Sequence, residues 1–508
     1  MLLRLENHAA KIIFAILFCI ALAPVLLVDI PAMVDYPNHL ARMFILSRSG
    51  TSSANPYYQT AWALYPNLAM DIAIPQFARA IGVEAATRLF LLLSQILIVS
   101  GAMMLERVTK GRVQIAGFVA LMFLYCLPFT WGFVNFEFGI GLAVWGVAIY
   151  LMVQERNWPV RFAVNAGFVV FLFAAHFFAL GIYGATIGIH ELWRAHARKA
   201  AHVDTALRLT VLAVPALALL TVMETGGGAI GGEGTAWFFE FKPIWPFRIM
   251  NGYNLTVSAA SVCALAGFIY VAVKRGILTF APCGLWLAIS FLLLYLAIPS
   301  RLFGTSFVDF RVIAAAAFIL PAFCVLVLPD RTWMCLALAG AACIALANLA
   351  VVYSVWLTYR ADYAAMIDSF AKLDKGARVL TGTSGNGDDP PFNDLTQYPY
   401  YYASTLAVHY ADAFVPNLFT AVGKQPVIAR ASIAHLATPH GGPVPITILA
   451  AIAAGKTADI VPRYMRNWTA EFDYLYVLGP PPDNPLPALL EERYRSSRFV
   501  LYKIRRRP

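Results

Sequence analysis

The chain opens with the apolar run IIFAILFCIALAPVLLVDI, residues 12–30, and soon continues with VDYPNHLAR, residues 34–42. The run is long enough to cross the hydrocarbon core of a bilayer as an α-helix. An aspartate, a histidine and an arginine follow where this helix leaves the membrane. Ionisable groups at such a depth are costly unless they serve a water-filled site, so this stretch predicts both a membrane protein and a functional site.

The composition of the whole chain supports the same class of protein. The 508 residues are 60% hydrophobic and only 13% charged, and the mean hydropathy is +0.67. A soluble protein of this length would carry far more charge, so the sequence predicts a polytopic α-helical membrane protein. The net charge of +10 does not indicate a nucleic-acid partner, because the basic residues cluster in short loops between apolar runs.

About eleven apolar runs have the length and flanking charge of membrane helices. They are predicted at approximately 11–31, 84–105, 113–130, 133–153, 160–175, 177–194, 204–223, 255–273, 277–298, 310–328 and 333–357. The fifth and sixth runs are short and predict a pair of half-length or tilted helices that meet near His176. Basic loops fall on one side of this arrangement, which predicts a cytoplasmic N-terminus and an extracytoplasmic tail.

We therefore predict a membrane domain over residues 1–358, with interfacial helices in 32–83, and an extracytoplasmic α/β domain over residues 359–508. In the tail, strands are predicted at 377–383, 472–479 and 499–504, a helix at 486–495 and a loop at 385–391. The tail tyrosines could stack on sugar rings or belong to the core; they are Tyr398, Tyr400, Tyr401 and Tyr402. Residues 226–234, GGGAIGGEG, predict a flexible loop that could cradle phosphate, gate a site or serve as a linker.

Two carboxylates near the outer membrane face are candidates for a general base on a hydroxyl group. Asp35 precedes a predicted helix that starts at Tyr36, and the alternative is that it only caps this helix. Asp71 lies in an apolar setting, and its alternative roles are helix capping or an ion pair with Arg79. His39 could assist the acid–base step.

Arginines at the same face are candidates for binding a phosphate, because the planar guanidinium fork meets two oxygens at once. Arg311 is the favoured phosphate ligand, with Arg301 and Arg42 as further candidates, although arginines at this depth also serve as membrane anchors. Asp309 could bind substrate or only orient Arg311.

Two further ionisable residues are predicted to face the same cavity and are candidates for substrate binding. Glu137 lies at the start of a helix, where the helix dipole favours an acid in any case. His176 lies among apolar residues and could be a structural group. With no nucleotide-binding motif present, the candidate residues predict transfer of a lipid-linked group at the outer membrane face.

On these residues the sequence resembles the type C glycosyltransferase superfamily, whose members are polytopic enzymes that use polyprenyl-phosphate sugars. Asp35 matches the acidic residue that members carry in the first extracytoplasmic loop. Asp71 resembles the second acidic residue found in the next interfacial helix. The pair Asp309 and Arg311, followed by Pro321, resembles an aspartate–arginine element at the entry of a late helix.

The resemblance implies transfer of a single hexosyl or pentosyl group, with inversion, from polyprenyl phosphate to an extracytoplasmic glycan, lipid or protein acceptor. Asp35 would be the base, and the enzyme would lie in a bacterial inner membrane with a periplasmic C-terminal domain. The chain lacks the adjacent acidic pair and the Trp-Trp-Asp motif of some members. A divalent metal is therefore open but not favoured, and no other cofactor is predicted.

Two other classes of protein remain as alternatives. One is a transporter or flippase of a lipid-linked saccharide, which the lack of an internal repeat and the position of the charges at helix ends disfavour. The other is a non-catalytic envelope-assembly protein whose tail binds a cell-wall partner.

Overall fold

The computed structural model describes residues 8–225, 234–302, 305–384, 399–439, 441–456, 461–479 and 481–506. The predicted glycine-rich loop, apart from Gly234, lies outside the described residues. The predicted loop at 385–391 and the side chain of Tyr398 also lie outside them.

The chain divides into two compact units by its internal contacts. The first unit contains Met1–Leu27, Leu64–Met70 and Arg88–Tyr353. The second unit contains Val28–Ala63, Asp71–Thr87 and Ser354–Pro508. The second unit therefore includes most of the predicted first loop as well as the C-terminal tail.

The described residues are mainly helical. The helices are α1 His8–Leu27, α2 Tyr36–Arg48, α3 Ala69–Ile81, α4 Val83–Lys110, α5 Ala116–Met122, α6 Leu127–Trp131, α7 Val134–Met152, α8 Trp158–Ala175, α9 Phe177–Ala197, α10 His202–Thr225, α11 Trp245–Arg248, α12 Leu255–Lys274, α13 Gly284–Ala297, α14 Val308–Ile319, α15 Arg331–Phe370, α16 Leu406–Ala411, α17 Ile446–Ala453, α18 Arg463–Arg466 and α19 Trp468–Glu471.

Seven of the described helices are long and apolar enough to cross a membrane. They are α1, α4, α7, α8, α10, α12 and α15. Shorter apolar helices lie at Ala116–Trp131, which contains α5 and α6, and at α13. The predicted class of polytopic helical membrane protein is confirmed, while the number of about eleven membrane helices stays a prediction.

Breaks near prolines interrupt two of the predicted membrane helices. The run at 113–130 is broken between α5 and α6, where Pro128 occupies the first turn of α6. The run at 310–328 leaves the α-helix after Ile319 and forms a 3-10 turn that contains Pro321, because proline cannot extend the helical hydrogen-bond ladder. Of the half-length or tilted helices predicted to meet near His176, the half-length alternative is wrong, since α8 and α9 have 18 and 21 residues. The two helices do meet at His176, which follows the last residue of α8 and precedes the first residue of α9.

Two short two-stranded sheets lie in the first unit. Their strands are β2 Leu278–Phe280 with β5 Cys324–Leu326, and β3 Arg301–Leu302 with β4 Thr305–Ser306. The β2–β5 pair occupies the start of one predicted membrane run and the end of another. A helix is excluded at both places because their backbone groups bond to each other.

The second unit carries a five-stranded sheet with the order β10-β11-β9-β6-β8. Its strands are β6 Val379–Thr383, β8 Val444–Pro445, β9 Tyr474–Leu478, β10 Leu490–Arg495 and β11 Phe499–Ile504. The predicted α/β character and the strands at 377–383, 472–479 and 499–504 are confirmed. A further pair joins β1 Tyr58–Thr60 to β7 Val427–Ala429.

The predicted helix at 486–495 is wrong, because its second half is the edge strand β10. This strand pairs antiparallel with β11, with a register shift between Glu492 and Tyr494. The segment is rich in residues that favour helices, so the decision comes from hydrogen bonds to a neighbouring strand rather than from intrinsic preference.

Candidate active-site residues

Asp35 is the most accessible residue of a buried segment in the second unit. Every residue of 30–46 is buried except Asp35, which is half-buried. It occupies the N-cap position of α2, and its carboxylate makes no capping hydrogen bond to the helix. The backbone carbonyl of Asp35 accepts a hydrogen bond from the His39 amide at 3.0 Å. The cap-only alternative therefore does not explain this carboxylate.

A buried ion pair joins α2 to α3 in the same unit. The Nη2 of Arg42 donates to Oδ2 of Asp71 at 3.0 Å, and its Nε lies 2.8 Å from Oδ1. The two side chains are 3% and 0% exposed. Burial raises the pKa of Asp71 above its usual range, and the charge of Arg42 opposes this shift. The partner of Asp71 is thus Arg42 rather than Arg79, the ion-pair partner considered as an alternative from the sequence.

The Asn38 side chain on α2 forms hydrogen bonds to a loop of the C-terminal tail. Its Nδ2 donates to the Asn417 carbonyl at 2.9 Å, and its Oδ1 accepts from the Phe419 amide at 2.6 Å. The His39 ring packs edge-to-face on Phe419, with centroids 5.8 Å apart. Asn417 and Phe419 were not predicted as site residues, since no local pattern indicates a contact across so many residues.

Arg311 lies in a cluster of aromatic rings in the first unit. Its guanidinium carbon is 4.2 Å from the ring centroid of Phe133, 5.3 Å from that of Phe178 and 5.6 Å from that of Phe136. The residue is 4% exposed, and its Nη2 lies 3.4 Å from the Ser306 carbonyl. Three aromatic rings thus surround the guanidinium, and cation–π attraction stabilises its charge in this buried position.

Glu137 and His176 belong to the same cluster. The His176 ring contacts the rings of Phe136 and Phe178, on which the Arg311 guanidinium also packs. Glu137 is fully buried, and its Oε1 accepts from the Cys126 thiol at 3.3 Å. A Cβ at Gly139 would lie 2.9 Å from the His176 Cβ, so α7 approaches the α8–α9 junction closely. His176 and the start of α7, which carries Glu137, therefore lie near each other in the first unit, while a shared role of both residues with Arg311 in substrate binding stays a prediction.

Two asparagine side chains connect the start of α7 to neighbouring segments through hydrogen bonds. The Asn135 side chain accepts from the Met70 amide at 2.9 Å and donates to the Asn67 carbonyl at 2.6 Å. The Asn67 side chain accepts from the Phe177 amide at 2.8 Å. Asn67 has a φ of 69°, a left-handed conformation that asparagine tolerates better than most residues. The Tyr-Pro-Asn turn signal at 65–67 was the available sign of this connection.

Asp309 lies in a separate polar group of the first unit. Its Oδ2 accepts from the Ser300 hydroxyl at 2.6 Å and lies 3.4 Å from Nζ of Lys242. Lys242 also donates to the carbonyls of Tyr295 and Ile298. The carboxylate therefore orients Lys242 and Ser300 rather than Arg311. Lys242 was not predicted as a site residue, because it lies far from Asp309 in the sequence.

Arg301 lies exposed on the β3–β4 hairpin, where its backbone bonds to Ala236. Across the described ranges, no group of three or more His, Cys, Asp or Glu side chains is placed to hold a metal ion.

The fold is similar to that of ArnT, a protein of known structure from Cupriavidus metallidurans. ArnT from Cupriavidus metallidurans bound to undecaprenyl phosphate superposes with a TM-score of 0.51 at 12% identity, over 97% of each chain. ArnT from the same organism in the apo state superposes with a TM-score of 0.49 at 13% identity, over 98% of each chain. No protein-family model matches the sequence, and no curated protein matches it.

Proposed function

We propose that the protein is an integral-membrane glycosyltransferase that moves a single sugar from a polyprenyl phosphate to an extracytoplasmic acceptor. The observation that carries the proposal is Asp35, an accessible carboxylate in an otherwise buried segment of a chain with this fold. The structure with the higher TM-score was solved with undecaprenyl phosphate bound, which supports a polyprenyl phosphate as the lipid partner.

In the proposed reaction, the Asp35 carboxylate accepts the proton of an acceptor hydroxyl. The acceptor oxygen forms a bond to the anomeric carbon of the donor sugar from the face opposite the phosphate. The bond from that carbon to the phosphate oxygen breaks, and its electron pair leaves with the polyprenyl phosphate. The sugar configuration is inverted, and no oxidant or reductant is needed.

The other candidate residues take proposed roles according to their surroundings. Arg311 is the proposed phosphate ligand, because its charge is desolvated and its guanidinium lies against aromatic rings. Glu137 and His176 are proposed to contribute to substrate binding beside it, because His176 packs on the same rings and Glu137 follows Phe136 on α7. The charges of Asp71 and Arg42 are paired with each other in a buried ion pair, so we assign this pair a positioning role. His39 is proposed to assist Asp35 from the next turn of α2.

The proposed location is a bacterial inner membrane, with the N-terminus cytoplasmic and the C-terminal tail periplasmic. The basic loops support this orientation by the positive-inside rule. The acceptor is a glycan, lipid or protein that presents a hydroxyl on the outer face.

The test is release of polyprenyl phosphate by the purified protein in lipid nanodiscs, with a panel of polyprenyl-phosphate sugars and envelope-derived acceptors. We expect Asp35→Asn to lower the rate by roughly 10²–10⁴-fold, the usual contribution of a general base. Donor binding should be retained, because the substitution is nearly isosteric. Asp29→Asn is the matched control, an exposed aspartate just upstream, and should behave like the wild type.

Equal rates for wild type and Asp35→Asn would refute Asp35 as the base. Movement of intact lipid-linked saccharide across the bilayer, without release of polyprenyl phosphate from any donor and acceptor, would favour the flippase alternative. A cellular phenotype that survives Asp35→Asn but not loss of the tail would favour the assembly-protein alternative.

A further inference from the structure

A row of aromatic rings extends from α2 to the loop at 399–402 in the second unit. The centroids of His39 and Phe419 are 5.8 Å apart, those of Phe419 and Tyr402 are 5.0 Å apart, and those of Tyr402 and Tyr401 are 4.8 Å apart. Each contact is edge-to-face, with interplanar angles of 74°, 72° and 83°. Such contacts leave ring faces uncovered by the neighbouring ring.

The rings of this row differ in exposure from the tyrosine that precedes them. Tyr400 is fully buried and packs on Tyr359 and Tyr363 as part of the core. Tyr401, Tyr402 and Phe419 are half-buried. Of the tail tyrosines considered from the sequence, Tyr400 is therefore core, while Tyr401 and Tyr402 are accessible for binding.

Hydrogen bonds of the Asn38 side chain and of the α2 backbone connect the row to the segment that carries Asp35. Asn38, in the first turn of α2, bonds to both the Asn417 carbonyl and the Phe419 amide. His39 bonds through its amide to the Asp35 carbonyl. Burial, and next the negative charge of Asp35, raise the pKa of the Tyr402 hydroxyl. Tyr402 therefore stays a neutral phenol beside the carboxylate at physiological pH.

Asn417 supplies a second and independent observation. The residue is 2% exposed, and within the described part of the chain neither its Nδ2 nor its Oδ1 has a hydrogen-bond partner. An unpaired buried amide is costly, and native structures keep few of them. An amide that offers both a donor and an acceptor is complementary to a hydroxyl, which also has both.

We propose that Tyr402, Phe419 and Asn417 form a saccharide subsite beside Asp35. Sugar C–H groups would pack on the faces of the two rings, and a sugar hydroxyl would pair with the Asn417 amide. Aromatic faces with a few placed polar groups are the usual lining of a small-molecule site. The inference rests on the proposed function for its role in transfer, where the bound ring is the donor sugar or a sugar of a glycan acceptor.

The first experiment measures binding and does not require transfer. Saturation-transfer NMR is recorded on the full-length protein in nanodiscs with a panel of methyl glycosides of hexoses and pentoses. We expect saccharide binding by wild type and by Tyr402→Phe, and roughly tenfold weaker binding by Tyr402→Ala and by Asn417→Leu. Tyr494→Ala is the control, because Tyr494 is a half-buried tyrosine on β10 that stacks only on Phe499 among the ring contacts described.

Asn417→Leu separates a binding role from a structural one. Its side chain makes no hydrogen bond within the described residues, and replacing an unpaired amide by an apolar group of similar shape is neutral or stabilising. We expect an unchanged or higher unfolding temperature together with weaker saccharide binding. An unchanged affinity at an unchanged or higher unfolding temperature would overturn the subsite. If Tyr402→Ala fails to fold, Asn417→Leu decides the question.

A second experiment shows whether the bound sugar belongs to the donor or to the acceptor. It also distinguishes failure of the subsite from failure of the proposed function. In the transfer assay, a higher KM for donor with Asn417→Leu assigns the subsite to the donor sugar, and a higher KM for acceptor assigns it to the acceptor. Wild-type transfer with both KM values unchanged in Asn417→Leu would overturn the subsite while the proposed function stands. Saccharide binding that needs Asn417, in a protein that transfers no sugar, would keep the subsite and reject the transferase.

Discussion

At the scale of single residues, function is indicated where exposure or pairing departs from what the local sequence predicts. Asp35 is half-buried among buried neighbours, and Arg311 is buried although arginine is rarely so. Each exception has a physical support nearby. The backbone of α2 holds Asp35, and three phenylalanine rings hold Arg311.

Arg311→Lys tests whether phosphate binding needs the guanidinium group of Arg311 rather than its charge alone. Lysine keeps the positive charge but loses the planar guanidinium fork, which lies against the rings of Phe133, Phe136 and Phe178. We expect roughly tenfold or greater loss of affinity for polyprenyl phosphate, measured by isothermal titration calorimetry in nanodiscs. Arg331→Lys is the control, since Arg331 lies exposed at the start of α15 and is not a candidate phosphate ligand. Equal affinities for wild type and Arg311→Lys would argue that any cation suffices.

At the scale of elements, buried polar contacts fix which segments lie side by side. The Arg42–Asp71 pair joins α2 to α3, and the Asn67 and Asn135 side chains join three segments at the entry of α7. Such contacts are directional, so they select one register where apolar packing alone would allow several.

Asp71→Asn tests whether the Arg42–Asp71 ion pair stabilises the fold. Breaking a buried ion pair leaves one charge uncompensated, so we expect the free energy of unfolding to fall by about 3–5 kcal/mol. The double variant Arg42→Leu with Asp71→Leu should recover most of this loss, because a well-packed apolar pair often replaces a buried ion pair without cost. The measurement is the thermal unfolding midpoint in detergent. A double variant that is no more stable than Asp71→Asn would contradict this account.

Gly141→Ala tests the close contact of α7 with α4. A Cβ at Gly141 would lie 2.9 Å from the Leu97 Cβ and 3.0 Å from the Ile98 nitrogen. We expect overpacking to cost about 1–3 kcal/mol of unfolding free energy. Gly167→Ala on α8 is the matched control, because its Cβ would meet nothing within 4 Å. The control should be neutral or stabilising by about 0.5–1 kcal/mol, from higher helix propensity. Equal midpoints for the two variants would show that α4 yields to the added methyl group.

At the scale of the whole molecule, the orientation in the membrane decides which solutes reach Asp35. The loop between α4 and α5 is basic and the C-terminal tail carries the five-stranded sheet. We expect alkaline phosphatase fused after Pro508 to be active, since this enzyme matures only outside the cytoplasm, and a fusion after Lys110 to be inactive. The reverse pattern would place the tail in the cytoplasm and remove the basis for an extracytoplasmic acceptor.

Features that depend on neighbouring residues in the chain were predictable. Helix α2 starts at Tyr36 and α14 carries Asp309 and Arg311, as the sequence predicts. Features that depend on distant partners were not. Asp71 pairs with Arg42 instead of Arg79 because Asp71 lies on α3 and Arg42 on α2, two helices that only the fold brings together. Asp309 likewise meets Lys242, which lies far away in the sequence.

The sequence by itself determined the class of protein and the position of its polar groups. Hydropathy does this, because a bilayer accepts long apolar helices and confines charge to their ends. Only the tertiary structure decided which charges neutralise each other, which proline-containing runs break, and which rings remain uncovered. Those outcomes depend on partners distant along the chain, such as Asn38 with Asn417 and Phe419. Their energies exist only once the chain has folded, so no local pattern contains them.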